Sequence, residues 1–203
     1  MDEQQLVATR RALHGVAESV IAGPQYRAHG TIRLAVSSGG FAGVAAPLRV
    51  QGADLVGPDG RWPLHGTLRE LGKAAGVEAG PPEGIYSDTS GVDLDEPLAV
   101  DSSAAELILG WFARGDAGLR AFEPESSPVL WPEHFDLGIA VDEVNYGISP
   151  GDDGYLMPYA YVGPWTAREG EFWNAPFGAL RWASELPDEA AVAGFFSEGR
   201  NRA

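Results

Sequence analysis

The sequences HFDLGIAVD at residues 134–142 and YLMPYAYV at residues 155–162 decide the fold class. Each stretch alternates with a period of two, which is typical of β-strands that bury one face. The residues between them include SPGDDG at 149–154, a composition typical of turns. We therefore expect the two stretches to be antiparallel neighbours in one sheet.

Further strands are predicted nearer the N-terminus. Residues 31–37 alternate apolar and polar side chains, and residues 48–56 and 61–64 flank the turn sequence GPDG. Proline suits the second position of such a turn and glycine the fourth, so these segments predict a hairpin. The Gly-, Pro- and Asp-rich residues 78–100 predict a long surface loop, which is a candidate lid.

Three helices are expected to cover the sheet. Amphipathic spacing predicts an N-terminal helix over residues 2–22 that ends at the Gly-Pro pair following it. A capping box beginning at Ser103 predicts a central helix that breaks near Gly115, and residues 188–198 predict a C-terminal helix. The fold class is therefore α+β, a mainly antiparallel sheet of hairpins and meanders covered by these helices, in a single domain over residues 1–203.

Composition excludes several functional classes. The 203 residues contain no cysteine, which excludes thiol nucleophiles, thiol redox chemistry and cysteine-ligated zinc. The acidic opening MDEQQ differs from a secretory signal, and apolar runs are shorter than the ~20 residues that cross a bilayer. We therefore expect a cytoplasmic protein that does not bind membranes.

The net charge of −15 is concentrated in the middle of the chain, and residues 121–167 contain no Lys or Arg. Such a surface repels the nucleic-acid backbone, so we expect no nucleic-acid binding. It could instead attract a basic protein partner, or it could simply keep the protein soluble.

The polar face of the strand predicted at 134–142 carries the candidate catalytic residues His134 and Asp136. The small residues Gly138 and Ala140 on the same face leave space above the sheet, in which a small polar ligand could bind. The predicted ligand-binding residues are aromatic: Tyr155, Tyr159, Tyr161, Trp131 and Trp165. The alternative is that this face is solvated, or is covered by a helix for which the small residues make room.

A divalent metal is a further possibility, with His134, Asp136 and Asp142 as ligands, because imidazole nitrogen and carboxylate oxygen suit such ions. No established metal-site spacing accompanies these residues. No Gly-rich phosphate-binding loop is present, so no nucleotide cofactor is indicated.

Four segments carry a resemblance: GPQYRAHGTIRL at 23–34, PVLWPEHFDLGIAVDEVNYGISPGD at 128–152, PYAYVGPW at 158–165 and FWNAPFGA at 172–179. They look like segments of a family of uncharacterised actinobacterial proteins. The resemblance implies a similar cytosolic single-domain protein and assigns no catalytic residue.

Three hypotheses for the function follow from the sequence. The first is a protein that binds a small ligand, or an enzyme of unknown reaction, with a pocket around His134 and Asp136. The second is a non-catalytic acidic protein that docks a basic partner or a second copy of itself, with exposed tryptophans as anchors. The third is a divalent-metal-dependent hydrolase that uses His134, Asp136 and Asp142.

Overall fold

The computed structural model describes residues 2–87 and 89–203. The chain divides into two compact units. The first comprises the residues up to Gly110 together with Leu130–Phe135, and the second comprises Trp111–Val129 and Asp136–Ala203. That residues 1–203 form a single domain stays a prediction.

The N-terminal helix of the first unit is longer than expected. It consists of α1 (Glu3–Gly15), a π-helical segment (Val16–Ala22) and α2 (Gly23–His29), and the Asp2 side chain caps its start. The prediction that it ends at Gly23 and Pro24 is wrong. The backbone N–H of Gly80 donates to the Ser19 carbonyl at 2.8 Å. This bond satisfies an acceptor that the proline, which lacks an N–H, leaves free in the widened π turn.

In the described part of the first unit, six short strands follow one another in the order β6-β1-β2-β3-β4-β5. They are β1 (Leu34–Ser37), β2 (Gly40–Gly43), β3 (Arg49–Gln51), β4 (Asp54–Gly57), β5 (Gly60–Pro63) and β6 (Val129–Trp131). All of the paired neighbours run antiparallel. The hairpin predicted around the GPDG turn is confirmed as β4 and β5. Its first arm, expected over residues 48–56, is interrupted by a turn at Gly52 and divides into β3 and β4.

Two more helices follow the β5 strand. Helix α3 (Leu68–Ala74) begins with a capping box formed by Thr67 and Glu70. Helix α4 (Ser102–Phe122) continues seven residues past Gly115, where a break was expected. That expectation is wrong because this glycine serves close packing: a Cβ at Gly115 would overlap the side chain of Ile148.

The second unit contains the strands β7 (Asp136–Val141), β8 (Val144–Ser149), β9 (Tyr159–Pro164) and β10 (Ala179–Trp182), in the order β10-β9-β8-β7. Strand β8 lies between the two strands that were expected to be neighbours, so that prediction is wrong. The sequence does not reveal β8, because the chain reverses direction over only two residues, Asp142 and Glu143, which both have positive φ. Asn-Gly or Asp-Gly is the usual signal for such a turn.

Helices cover one face of the strands β7 to β10. The C-terminal helix α5 (Glu189–Arg202) follows the cap Asp188, and a Cβ at Gly199 of this helix would lie 2.7 Å from Val162 of β9. The ring of Tyr146 on β8 packs against Phe122 of α4 and Phe196 of α5. The side chains that point to the opposite face therefore face away from α4 and α5.

The α+β class, with an antiparallel sheet and N-terminal, central and C-terminal helices, is confirmed. Within the described part of the chain, no helix is both long enough and apolar enough to cross a membrane.

Candidate ligand-binding site

On the strands β7 to β10, the face that points away from α4 and α5 is built around Tyr161 of β9. This residue is paired with Gly147 of β8, which is in turn paired with Gly138 of β7. A Cβ at Gly147 would overlap the Tyr161 ring, and a Cβ at Gly138 would lie 3.0 Å from its hydroxyl oxygen. The two glycines therefore allow the ring to lie across β8 and to bring its hydroxyl over β7.

The Tyr161 hydroxyl donates a hydrogen bond to Oδ2 of Asp136, the first residue of β7. Burial raises the pKa of Tyr161 well above its usual value, and the negative charge of Asp136 raises it further. The hydroxyl therefore keeps its proton at neutral pH and acts as the donor to the carboxylate.

A second tyrosine holds a second carboxylate on the same face. The Tyr159 hydroxyl donates to Oδ2 of Asp152 at 2.5 Å. Oδ1 of Asp152 accepts from the backbone N–H groups of Gly154 and Tyr155, at 2.7 and 2.8 Å. Burial raises the pKa of Tyr159, and the contact with Asp152 raises it further. The loop before β9 is thus fastened to the sheet by one carboxylate.

Five rings form what we call the aromatic cluster: Tyr155, Tyr159, Tyr161, Phe177 and Trp182. The Tyr159 ring lies at its centre, with centroid distances of 5.5 Å to Tyr155, 6.4 Å to Tyr161, 6.1 Å to Phe177 and 6.4 Å to Trp182. Phe177 is 39% exposed and Trp182 37% exposed, so part of the cluster is accessible. Such rings offer flat apolar walls to a ligand.

A cleft of about 360 Å³ adjoins the aromatic cluster at Trp182. We call it the Trp182 cleft. Its size lies at the lower end of the roughly 300–1,000 Å³ that small-molecule sites occupy. It is lined by Glu171, Phe172, Asn174, Leu180, Arg181, Trp182, Glu185 and Phe195. The lining therefore combines aromatic rings, carboxylates, an amide and a guanidinium group.

The cleft lies at β10, which is the edge strand of this unit. Side chains make hydrogen bonds with the backbone along the outer edge of that strand. The Asn174 amide both accepts from the Leu180 N–H, at 2.8 Å, and donates to the Leu180 carbonyl, at 3.1 Å. Oε2 of Glu185 accepts from the Trp182 N–H at 3.0 Å. These bonds fix the backbone beside the Trp182 ring.

Arg181 is the cationic side chain of the cleft lining. Its guanidinium group lies 4.8 Å from the centroid of the Phe195 ring and forms an ion pair with Glu198 at 3.3 Å. Glu198 also pairs with Arg202 at 2.8 Å, so its carboxylate balances only part of the Arg181 charge.

The structure brings together three of the predicted ligand-binding residues, Tyr155, Tyr159 and Tyr161, with the predicted catalytic residue Asp136. The strand expected to begin at Tyr155 begins at Tyr159 instead, and Tyr155 lies in the loop before it. The ring contacts hold it beside the strand in spite of this difference.

His134 lies in a turn and not on a strand, because β7 begins at Asp136. Phe135 has a φ of 52°, which interrupts the extended chain, so the alternation predicted from residue 134 does not apply to His134. The imidazole is 58% exposed, and its Nε2 lies 3.8 Å from Oε1 of Glu133. His134 belongs to the first unit and Asp136 to the second, and their pairing stays a prediction.

Trp131 and Trp165 lie outside the aromatic cluster. Trp131 ends β6 in the first unit, where Arg33 lies 5.9 Å from the centroid of its ring. Trp165 follows the far end of β9, six residues and about 20 Å from Tyr159. It is 65% exposed, and its indole N–H donates to Asn145 at 3.2 Å.

The predicted metal ligands do not form a set of three. Asp136 begins β7 and Asp142 directly follows its last residue, so the strand separates their backbones by about 20 Å. Among residues 2–87 and 89–203, no group of three or more His, Asp or Glu side chains is arranged to hold a metal ion. One ion therefore cannot be held by both of these aspartates.

The sequence did not reveal Phe177 or the polar side chains of the Trp182 cleft, and it suggested Trp182 only as an exposed anchor for a protein partner. A signal was present in the segments FWNAPFGA at 172–179 and LRW at 180–182, which are rich in aromatic residues. The missing information was the pairing of Trp182 with Tyr159, since a contact across strands depends on the register.

The chain matches no protein-family model, and neither the curated proteins nor the solved structures include a significant match to it.

Proposed function

We propose that this is a cytoplasmic protein that binds a small ligand through the aromatic cluster and the Trp182 cleft of its second unit. One observation carries the proposal: a partly exposed tryptophan joins a cluster of five rings to a cleft with a mixed polar lining. Concave sites of this kind, with aromatic walls and a few fixed polar groups, are typical of small-molecule binding.

The fixed position of the site supports the same proposal. Asp136 and Asp152 are held by tyrosine hydroxyls, and the backbone beside Trp182 is held by Asn174 and Glu185. A site that is ordered before the ligand arrives loses less conformational entropy on binding.

The test is a titration with a panel of neutral monosaccharides, alkylamines and short carboxylic acids, monitored through the indole N–H signals in ¹H–¹⁵N correlation spectra. We expect at least one compound class to shift the Trp182 signal, and Trp182→Ala to abolish binding. The matched control is Trp165→Ala, which removes an exposed tryptophan from the far end of β9 and should leave the affinity unchanged. A panel without any binder would overturn the proposal.

A second candidate is the docking of a basic protein or of a second copy of the chain. The large exposed apolar side chains of this unit favour it: Leu156, Met157, Trp165, Phe177 and Trp182. Exposed aromatic residues are frequent anchors of protein interfaces. In that case Trp165→Ala and Trp182→Ala would weaken association with the partner by similar factors.

A further inference from the structure

We infer that the ligand of the Trp182 cleft is an organic cation, a small apolar body that carries an ammonium or guanidinium group. This inference rests on the proposed function, and it adds the chemical class of the ligand. It is carried by the charges and rings that surround the cleft.

Carboxylates still outnumber cations around the cleft when its neighbours are counted, because Glu171, Glu185 and Glu198 stand against two guanidinium groups, those of Arg181 and Arg202. Glu171 and Glu185 are exposed in its wall, and Arg181 is the cationic side chain of the lining. The ion pair with Glu198 and the stacking on Phe195 already engage that guanidinium group. An incoming anion would therefore compete with Glu198, whereas an incoming cation would meet the carboxylates directly.

The adjoining aromatic cluster has the same preference. The face of an aromatic ring attracts a cation, and a tryptophan ring does so most strongly. Oδ2 of Asp152 lies 2.5 Å from the Tyr159 hydroxyl oxygen, and its negative charge adds to the negative potential beside the Tyr159 ring. The strands and turns that carry the tyrosines belong to residues 121–167, which contain no Lys or Arg.

Neutral and anionic ligands fit these observations less well. A sugar would gain from the flat rings, but it would not use the excess of carboxylates. The second unit as a whole contains 14 Asp and Glu against 6 Lys and Arg, so long-range attraction also favours a cation.

The inference is tested by comparing choline with its neutral isostere 3,3-dimethylbutan-1-ol, which has the same shape without the charge. Titration of the full chain at low ionic strength should give about tenfold tighter binding of choline. The Trp182 indole signal should respond to it. Equal affinity for both compounds would overturn the inference.

A charge-neutral double variant tests the carboxylates. Glu171→Gln with Glu185→Gln keeps the shape of both side chains, and the amide oxygen at 185 can still accept from the Trp182 N–H. We expect choline binding to weaken about fivefold or more and binding of the neutral isostere to stay constant. Glu125→Gln is the control, because it removes one exposed negative charge outside the cleft lining.

The outcomes separate this inference from the proposed function. Binding of neutral monosaccharides through Trp182, with choline inactive, would overturn the cationic ligand and keep the small-ligand function. Failure of the whole panel would overturn both. Binding of a blocked lysine-containing tripeptide and not of free amines would support the cationic group and assign it to a protein side chain.

Discussion

The Glu18 carboxylate of the first unit and the Asp136 carboxylate of the second each accept a hydrogen bond from a tyrosine hydroxyl, but their surroundings differ. Glu18 is 1% exposed in the π-helical segment. It accepts from the Tyr86 hydroxyl at 3.2 Å, from the Ser90 N–H at 3.0 Å, and from the Ser90 hydroxyl. Each of its three donors comes from the loop predicted as a lid.

Arginine side chains add to the attachment of that loop. Arg11 donates to the Gly91 carbonyl at 2.9 Å and to Glu96 at 2.9 Å, and Arg69 pairs with Asp95 at 2.7 Å. A loop that is fastened by a buried carboxylate and by two ion pairs is part of the folded unit and does not have the features of a mobile lid.

In the second unit, by contrast, the tyrosine that holds Asp136 belongs to a cluster whose outer rings are partly exposed. The same pair of chemical groups therefore has two uses. In the first unit a loop encloses the pair, and the pair contributes to stability. In the second unit the pair fixes the position of a ring in the aromatic cluster. The difference lies in what surrounds the pair, which the types of residue alone do not reveal.

The largest loss of stability is expected from Glu18→Ala in the first unit. The change leaves the Ser90 N–H, the Ser90 hydroxyl and the Tyr86 hydroxyl without their acceptor, so we expect a loss of about 2–4 kcal/mol in the free energy of unfolding. Urea unfolding measures it, and amide hydrogen exchange should rise in the loop. Glu83→Ala, at an exposed position in the same loop, should change stability by less than about 0.5 kcal/mol. Equal unfolding midpoints for the two variants would contradict the anchoring role.

A smaller effect is expected from a matched pair, Tyr161→Phe and Tyr86→Phe. Tyr161→Phe removes a part-buried hydrogen bond to the Asp136 carboxylate, which we expect to cost about 1.5–3 kcal/mol. Tyr86→Phe should cost about 1 kcal/mol, because Glu18 keeps both Ser90 donors and the Tyr86 bond is the longest of its three. Urea unfolding of both variants gives the comparison. A larger loss for Tyr86→Phe would reverse the proposed ranking.

The sequence predicted the α+β class, the alternation in β7 and the aromatic character of the tyrosine face. These are local properties, because period-two alternation depends only on neighbouring residues. It did not reveal β8, because the reversal at Asp142 and Glu143 requires positive φ at two residues that carry no glycine signal. It placed His134 on the strand for a similar reason, since φ of Phe135 is not evident from its side chain.

Two glycines led to wrong predictions of helix ends. The sequence predicts that helices end at Gly23 and Gly115, but both residues lie inside helices, at points where another chain segment approaches closely. A Cβ at Gly23 would overlap the carbonyl oxygen of Gly80, and one at Gly115 would overlap Ile148. Close approach is a tertiary property, which a single sequence does not separate from a turn.

The smallest effect is expected at the exposed Arg69–Asp95 pair, and it depends on pH. The hydrogen bond from Arg69 holds the pKa of Asp95 below its usual value. The pair therefore stabilises the fold above the unfolded-state pKa of about 3.9, and this contribution is lost as the pH falls through the lower folded-state pKa. Asp95→Asn should lower the urea midpoint slightly at pH 7, and the difference from the unchanged protein should shrink as the pH falls below about 4. Glu83→Gln serves as the control, and a difference that does not shrink with falling pH would contradict the ionic origin.

The side chains along β10 have a consequence for how the protein behaves among other chains. An open strand edge is a template for adding a foreign strand, and it is a common start of aggregation. Here the Asn174 amide makes the two hydrogen bonds with the Leu180 backbone that a neighbouring strand would make, and the Glu185 carboxylate accepts from the Trp182 N–H. A foreign strand therefore cannot form backbone hydrogen bonds at these two positions of the β10 edge. A molecule that binds this edge has to recognise side chains.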